Sequence, residues 1–348
     1  MRILLTGSNG YIGSVMAPIL RKAGHDVVGL DVGYFADCHF YPDAESDKFI
    51  RRDIRDIKAS DFEGFDAVVH LAALSNDPIG NLREDWTRTI NLEGTIKVAK
   101  LARSAGVSRF LFASSCIMYG TSNEQDVAEE APLAPATEYA RSKALAEEGL
   151  RELVTPDFSP VYIRNGTVYG VSPRMRFDTV LNNFMGQAVA TGKVIIFSDG
   201  KPWRPVVHVK DLSRTFLRYL EAPRELVHNQ AFNNGASILN YRVRQLAEIV
   251  LEIVPGAQLE IRSDAGADQR TYKADFGKFA RTFPDFKFEW DPKKGARELY
   301  DALTKLKVDR AKFESPEFTR LKYLSKLLEQ KKLDADLQWA QASEPVRV

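Results

Sequence analysis

Tyr139 and Lys143 stand four residues apart in TEYARSK (137–143), at the start of a run with helical periodicity. On an α-helix that spacing stacks the two side chains on one face. A free phenol, with a pKa of ~10, is too weak a base at neutral pH, and a neighbouring positive charge favours its ionised form. The pair can therefore exchange a proton with a hydroxyl group; it can equally be a surface i,i+4 pair. A second candidate is the triplet Gly7, Gly10 and Gly13 in TGSNGYIG. Glycines there let the chain turn tightly and bring backbone N–H groups up to a pyrophosphate at the positive end of a helix, although an ordinary strand-to-helix turn has the same composition. Asp31 ends the next apolar run. A carboxylate in that place accepts both ribose hydroxyls of adenosine and repels a 2′-phosphate. The following VGYFADCHF has no Arg or Lys to welcome one, so the pattern favours NAD over NADP. Asp53, in RRDIRD, falls where a third strand should end; it could accept from the adenine amino group or be a plain loop carboxylate.

The elements that must position these residues are legible as alternating patterns. RILLTG, HDVVGLD, DAVVHLAA, SRFLFASS and SPVYIRN read as buried strands, compact and rich in Val, Ile, Leu and Phe. Between them lie YIGSVMAPILRKAG, DWTRTINLEGTIKVAKLARSAG and EYARSKALAEEGLREL, which read as helices, the first two closed by Gly. Repeated βα predicts an α/β fold, a doubly wound parallel sheet with helices on both faces. Pro18 inside the first helix conflicts locally with this reading, since it removes a hydrogen bond. Beyond about residue 167 the turn-rich GVSPRMR, SDGKPWRP and SDAGADQR interrupt the pattern and suggest a smaller second lobe. The expected division is 1–166 for the nucleotide-binding domain with a returning segment near 206–235, 167–310 for the substrate lobe, and 311–348 for a charged helical appendage, a solvated face or a packing element.

Composition excludes several classes. With 48 Lys plus Arg against 47 Asp plus Glu and a formal charge of +1, there is no electrostatic case for nucleic acid or an acidic membrane. The two cysteines, Cys38 and Cys116, lack metal-ligand spacing, and their scarcity fits a reducing compartment. The apolar run ILL breaks at Gly7, too short for a secretory signal, and no run approaches the ~20 residues of a membrane span. The expectation is a cytoplasmic enzyme without a metal.

Taken together, TGSNGYIG, Asp31, HLAA (70–73), Asn91, SSCIMYG (114–120), YARSK and PVVHVKDL (205–212) resemble the extended short-chain dehydrogenase/reductase superfamily, in its NAD-dependent nucleotide-sugar epimerase/dehydratase branch, over residues 1 to about 300. The resemblance implies a Rossmann-type domain with a C-terminal substrate-binding lobe. It also implies a cofactor set of Gly7, Gly10, Tyr11, Ile12, Gly13, Asp31, Asp53, Ile54, Leu71, Ala72, Ala73, Ser75, Asn91, Ser114, Tyr139 and Lys143. Tyr139 would remove or return the proton of a sugar hydroxyl while hydride moves between sugar C4 and the nicotinamide; Lys143 would also hold the nicotinamide ribose. Ser115 would share the reacting oxygen. A homodimer through the helix of 91–105 and the helix of Tyr139 is implied too, with Leu92, Ile96, Ala99 and Ala102 on its face or buried on their own sheet.

Departures from the family pattern narrow the reaction. Dehydratases of this branch place an acid and a carboxylate base directly after the catalytic Ser/Thr, and here Cys116 and Ile117 occupy those positions. Cys116 is either an acid or base, a packed small residue, or part of the sugar pocket. Arg204 and Arg270 match family arginines near the diphosphate, where planar guanidinium groups suit two-point recognition of phosphate oxygens. His208 is expected to be structural. Thr167 stands where many relatives carry an asparagine, Ser75 replaces a lysine that some 4-epimerases use on NAD, and Asn76 could reach the sugar. The reading is an NAD-dependent nucleotide-sugar 4-epimerase acting through a transient 4-keto intermediate. A one-way 4-dehydrogenase or 4-ketoreductase is the alternative within enzymes, and a non-catalytic dinucleotide sensor the alternative outside them.

Overall fold

The computed structural model describes residues 1–41, 49–75, 83–121, 126–262 and 270–340. All five apolar runs form strands: β1 (Arg2–Thr6), β2 (Asp26–Asp31), β4 (Ala67–His70), β5 (Arg109–Ser115) and β7 (Ser159–Asn165). With β3 (Phe49–Arg51) and β11 (Gln230–Asn234) they make a seven-stranded sheet, in the order β11-β7-β5-β4-β1-β2-β3. Every pairing in it is parallel. The winding reverses between β1 and β4, which opens a crevice at the carboxyl ends of those strands.

Period-two alternation sorts the strand side chains between two apolar layers. Ile3 and Leu5 face one layer with Met16, Ala17 and Leu20 of α1 (Gly13–Lys22). Leu4, Val68, Phe110 and Phe112 face the other, against Val98, Ala99 and Ala102 of α2 (Thr95–Ser104) and Ala146 and Leu150 of α3 (Glu138–Arg151). Ala99 and Ala102 are thus buried in the chain's own core, and Leu92 and Ile96 of the expected dimer face are partly buried against the same layer. Helix α1 runs through Pro18 to Lys22 and closes at Gly24, whose φ is +90°.

The second lobe contains α4 (Val180–Thr191), α6 (Val243–Ile253) and α7 (Pro292–Lys305) with small sheets, while α5 (Val209–Glu221) lies on the main sheet. β10 (Trp203–His208) joins β8 (Thr167–Tyr169) and β12 (Asn240–Arg242), and β9 (Lys193–Ile196) pairs with β13 (Gln258–Ile261). Helix α5 packs on the large sheet beside α1, with Leu212, Phe216 and Leu220 in the layer of Met16 and Leu20, while β10 belongs to the smaller sheet. The appendage packs rather than being solvated. In α8 (Arg320–Glu329), Tyr323, Leu324 and Leu327 enter the layer of α2 and α3. The segment after it is tied down where Trp339 Nε1 donates to the Val32 carbonyl and Trp86 Nε1 to the Ala335 carbonyl, both at 2.8 Å.

The turn after β1 is closely packed. Gly7 has φ +72°, and a Cβ on it would lie 2.8 Å from the Ala72 backbone nitrogen; a Cβ on Gly13 would lie 2.2 Å from the Gly7 carbonyl oxygen. Both obstacles are backbone, so neither yields cheaply. Gly13→Ala should cost at least about 2–3 kcal/mol through overpacking, read as a lower urea midpoint at unchanged slope; a midpoint equal to wild type would refute the packing argument.

Candidate active site

A cavity of about 400 Å³ opens at the carboxyl ends of β1, β2, β4 and β5. Its floor is the glycine turn with Tyr11 and Ile12; its walls carry Asp31, Asp53 and Ile54 on one side and Leu71, Ala72, Ala73 and Ser75 on the other. The turn is shaped by the missing side chains: Gly7 lies so close to Ala72 that only backbone separates α1 from the end of β4. The Asp31 carboxylate accepts from the backbone N–H groups of Asn9 at 3.0 Å and Gly33 at 2.7 Å, and burial pushes its pKa up. Asp53 is engaged locally. It caps the turn at Ile54–Asp56 through the Arg55 N–H and pairs with the Arg55 guanidinium at 2.7 Å, so it stands on the wall with its oxygens already occupied.

At the other end Ser114, Ser115, Tyr139, Lys143, Thr167, Arg204 and Arg270 line the same cavity. Thr137 caps α3 by accepting from the Ala140 N–H at 3.2 Å, which sets Tyr139 in the first turn. Lys143, one turn further, is 3 % exposed. Its Nζ donates to the Ala113 carbonyl at 2.7 Å, sits 4.7 Å from the centre of the Phe112 ring and 5.9 Å from that of Tyr139. Burial lowers its pKa to about 7, against the opposing pull of Glu147. Glu147, again one turn on, accepts from Ser114 Oγ at 2.6 Å and pairs with Arg164 of β7 at 2.7 Å, with both partners of that pair almost wholly buried. Helix α3 is therefore bolted to β5 and β7 at two successive turns, one and two turns beyond Tyr139, which lines the same cavity as Ser115. Ser115 Oγ accepts from the Ile117 N–H at 3.3 Å and still faces the cavity.

Residues 3–235 match the model of the NAD dependent epimerase/dehydratase family. The chain belongs to that family. A UDP-glucose 4-epimerase of Mycolicibacterium smegmatis is 31% identical over 252 residues, 68% of this chain and 78% of the relative. One of Bacillus subtilis is 27% identical over 339 residues, 86% and 94% of the two chains. The structure of TunA, an NAD dependent NDP-hexosamine 5,6-dehydratase, superposes with a TM-score of 0.78 at 21% identity, over 87% of this chain and 98% of that one. This last likeness is one of fold.

Members of the epimerase/dehydratase family use NAD, and the residues here fit it: the side-chain-free turn at the head of α1, Asp31 at the end of β2, and a cavity long enough to continue to Tyr139 and Lys143. NAD supplies a hydride acceptor and donor. Two expected site residues do not face the cavity. Asn91 lies wholly buried in a π-helical turn, Arg88–Gly94, where its Oδ1 accepts from the Leu74 N–H at 2.8 Å and its Nδ2 donates to the Leu74 carbonyl at 3.0 Å. It fixes the wall from behind. Cys116 is likewise buried, its Sγ donating to the Arg164 carbonyl at 3.1 Å, and burial pushes its thiol pKa far up. Of the readings open for it, this placement favours packing: the side chain is absent from the cavity lining. His208 is structural as expected, stacked on Trp290 with centroids 4.0 Å apart and bonded to Glu298 at 2.9 Å. Asn76 lies outside the described residues.

Pattern reading missed Tyr34, Phe35, Arg176, Asp178 and Arg320 on the cavity wall. Arg176 sits in GVSPRMR, legible from composition only as a turn; its Nη1 donates to Ser75 Oγ at 3.0 Å and its Nε to Asp178. Arg320 comes from the appendage, beyond the family match.

Two outcomes follow from the buried charges. Glu147→Gln leaves Arg164 without its carboxylate and should destabilise the fold by about 3–5 kcal/mol, measured by urea unfolding. Lys143 has a folded pKa below its unfolded one, so the unfolded chain holds more protons between pH 7 and 10 and this group's contribution to stability rises with pH there. In the cofactor-free protein, Lys143→Met should therefore gain stability relative to wild type at pH 7 and lose that advantage progressively as pH rises towards 10, at up to about 1.4 kcal/mol per pH unit. A difference between the two proteins that is flat in pH would contradict the burial of an ionisable amine.

Proposed function

We propose that this enzyme inverts C4 of a nucleotide diphosphate sugar through a transient 4-keto intermediate. The observation that carries the reading is that Ser115, Tyr139 and Lys143 line the cavity that also holds the glycine turn, while the positions after Ser115 offer no acid: Cys116 is turned into the core and Ile117 stands on the wall. Tyr139 Oη would take the proton from the sugar O4 and later return it to the oxygen of the ketosugar, while bound NAD would supply the hydride acceptor and donor for C4. Ser115 Oγ holds the same oxygen and keeps it in line with the phenol. Lys143 raises the positive potential around the phenol and carries hydrogen-bonding capacity to the nicotinamide ribose; its intrinsic readiness to lose a proton makes that potential sensitive to what fills the site. Arg204 and Arg270 stand together at the far end, with Arg204 Nη1 donating to the Arg270 carbonyl, where paired guanidinium groups suit a diphosphate. Thr167 lines the same cavity and so is available to the sugar.

Elimination of a C6 hydroxyl, the step of a dehydratase, needs a proton donor and a carboxylate base next to the reacting serine, and Cys116 and Ile117 supply neither. An epimerase regenerates its oxidised cofactor in each turnover and so needs none added. Purified protein should release bound NAD on denaturation and convert a UDP- or dTDP-hexose to its C4 epimer, followed by NMR, without added cofactor. Consumption of added NAD(H) in step with product would replace this reading by a one-way dehydrogenase or ketoreductase. Tyr139→Phe should lower kcat by about 10²–10⁴-fold, the range of a lost general acid/base, at an unchanged melting temperature; retention of full activity would remove the tyrosine from the chemistry.

A further inference from the structure

Three arginines are buried around the cofactor end of the cavity: Arg174 at 1 % exposure, Arg176 at 6 % and Arg320 at 4 %. The first two have evident side-chain partners. Arg174 Nε donates to Asn9 Oδ1 at 2.9 Å and bonds His39 at 2.7 Å, and Arg176 pairs with Asp178. Arg320 is different. Its Nη2 donates to the Arg174 carbonyl at 2.7 Å and its guanidinium lies 4.3 Å from the centre of the Phe35 ring, yet its Nη1 is buried with no hydrogen-bond partner, and the residue lines the cavity. Leaving a charged donor out of water without an acceptor is costly. The cost is greater here because Arg176 and Arg174, of the same sign, are among its neighbours. Burial, and then the charge of Arg176, lower the Arg320 pKa to about 10, with Asp178 offsetting them only in part. The cluster of Arg174, Arg176 and Arg320 faces the carboxylates of Asp31 and Asp178, and so has positive charge to spare inside a closed space.

Such an arrangement is stable when an anion completes it. Arg320 is within electrostatic range of Asp31, and its backbone N–H bonds Asp178, whose partner Arg176 reaches Ser75. A dinucleotide held on the glycine turn would carry its pyrophosphate past the head of α1. We propose that Arg320, delivered by the C-terminal helix from outside the segment that matches the family, binds the pyrophosphate of NAD through its unpartnered Nη1, and that the C-terminal segment is therefore part of the cofactor site. The N-terminus of α1 offers backbone donors from below, and Arg320 closes the same group from above. Because Arg320 N bonds Asp178, and the following segment is fastened to Val32 and to Trp86, the guanidinium is held on a rigid support rather than on a free tail.

The inference concerns the cofactor and stands whichever sugar the enzyme converts. It is tested by calorimetry on full-length, cofactor-stripped protein, comparing Arg320→Gln and Arg320→Lys with wild type for NAD, ADP-ribose, adenosine and NADP. Arg320→Gln should weaken NAD and ADP-ribose by about 10- to 100-fold, the value of a hydrogen bond to a charged group, and leave adenosine within about twofold. Arg320→Lys keeps the stem and charge, and hence the fold, but loses the fork; it should weaken ADP-ribose by less than Gln does, and still measurably. Equal losses for adenosine and ADP-ribose would show that Arg320 only shapes the pocket. A loss confined to NADP would move its contact to the ribose 2′ position. Either result overturns the proposal, as does a folded Lys variant that binds ADP-ribose like wild type. If the Gln variant fails to fold, the Lys variant alone decides.

Discussion

An amine buried from water has to be anchored, and Lys143 is anchored to the Ala113 carbonyl at the tip of β5. The rest of the site depends on that bond. Burial has taken the pKa of the amine down to about 7, so its charge is finely balanced and sensitive to whatever else enters the cavity. It also means that α3 cannot slide or rotate on the sheet without stranding a polar group. One turn further along the same helix face, Glu147 repeats the device with Ser114 and Arg164. These two contacts fix the helix that carries Tyr139 against the strands that carry Ser114 and Ser115.

The same logic joins the two lobes. Tyr11, inside the glycine turn, donates through its hydroxyl to the Gly170 carbonyl at 2.7 Å; Ser172 Oγ donates to the Tyr11 carbonyl at 2.8 Å; and Arg174 reaches Asn9. Each bond runs from the first βα turn to the loop after β8. The turn that carries backbone donors for the cofactor is thus braced by the lobe that lines the substrate end, and apolar contact of Tyr11 and Val15 with Phe40 and Met175 seals the join. Binding of dinucleotide and of sugar nucleotide are consequently events in one continuous polar framework. His208, for its part, spends its imidazole on capping α5, on Glu298 and on Trp290, which is why a histidine near the site takes no part in its chemistry.

What the sequence determined by itself was the part whose physics is local. Strands and helices followed from period-two and period-3.6 burial, the parallel sheet from their alternation, and the cradle from glycines that backbone proximity forces at 7 and 13. Tyr139, Lys143 and Ser115 were legible because helix spacing and strand-end position survive in the linear order. What only the tertiary structure decided depends on partners far apart in the chain. Asn91 and Cys116 carry the same residue types whether they face a ligand or a wall, and burial beside Leu74 and Arg164 turned both inward. Asp53 was spent on its neighbour Arg55, a choice that side-chain packing makes and composition does not record. The appendage, charged and amphipathic in sequence, found an apolar layer to cover and brought Arg320 to the cofactor end of the cavity. No periodicity could announce that contact, because the charge that makes Arg320 look solvent-bound in sequence is the charge that long-range folding buried on the cavity wall.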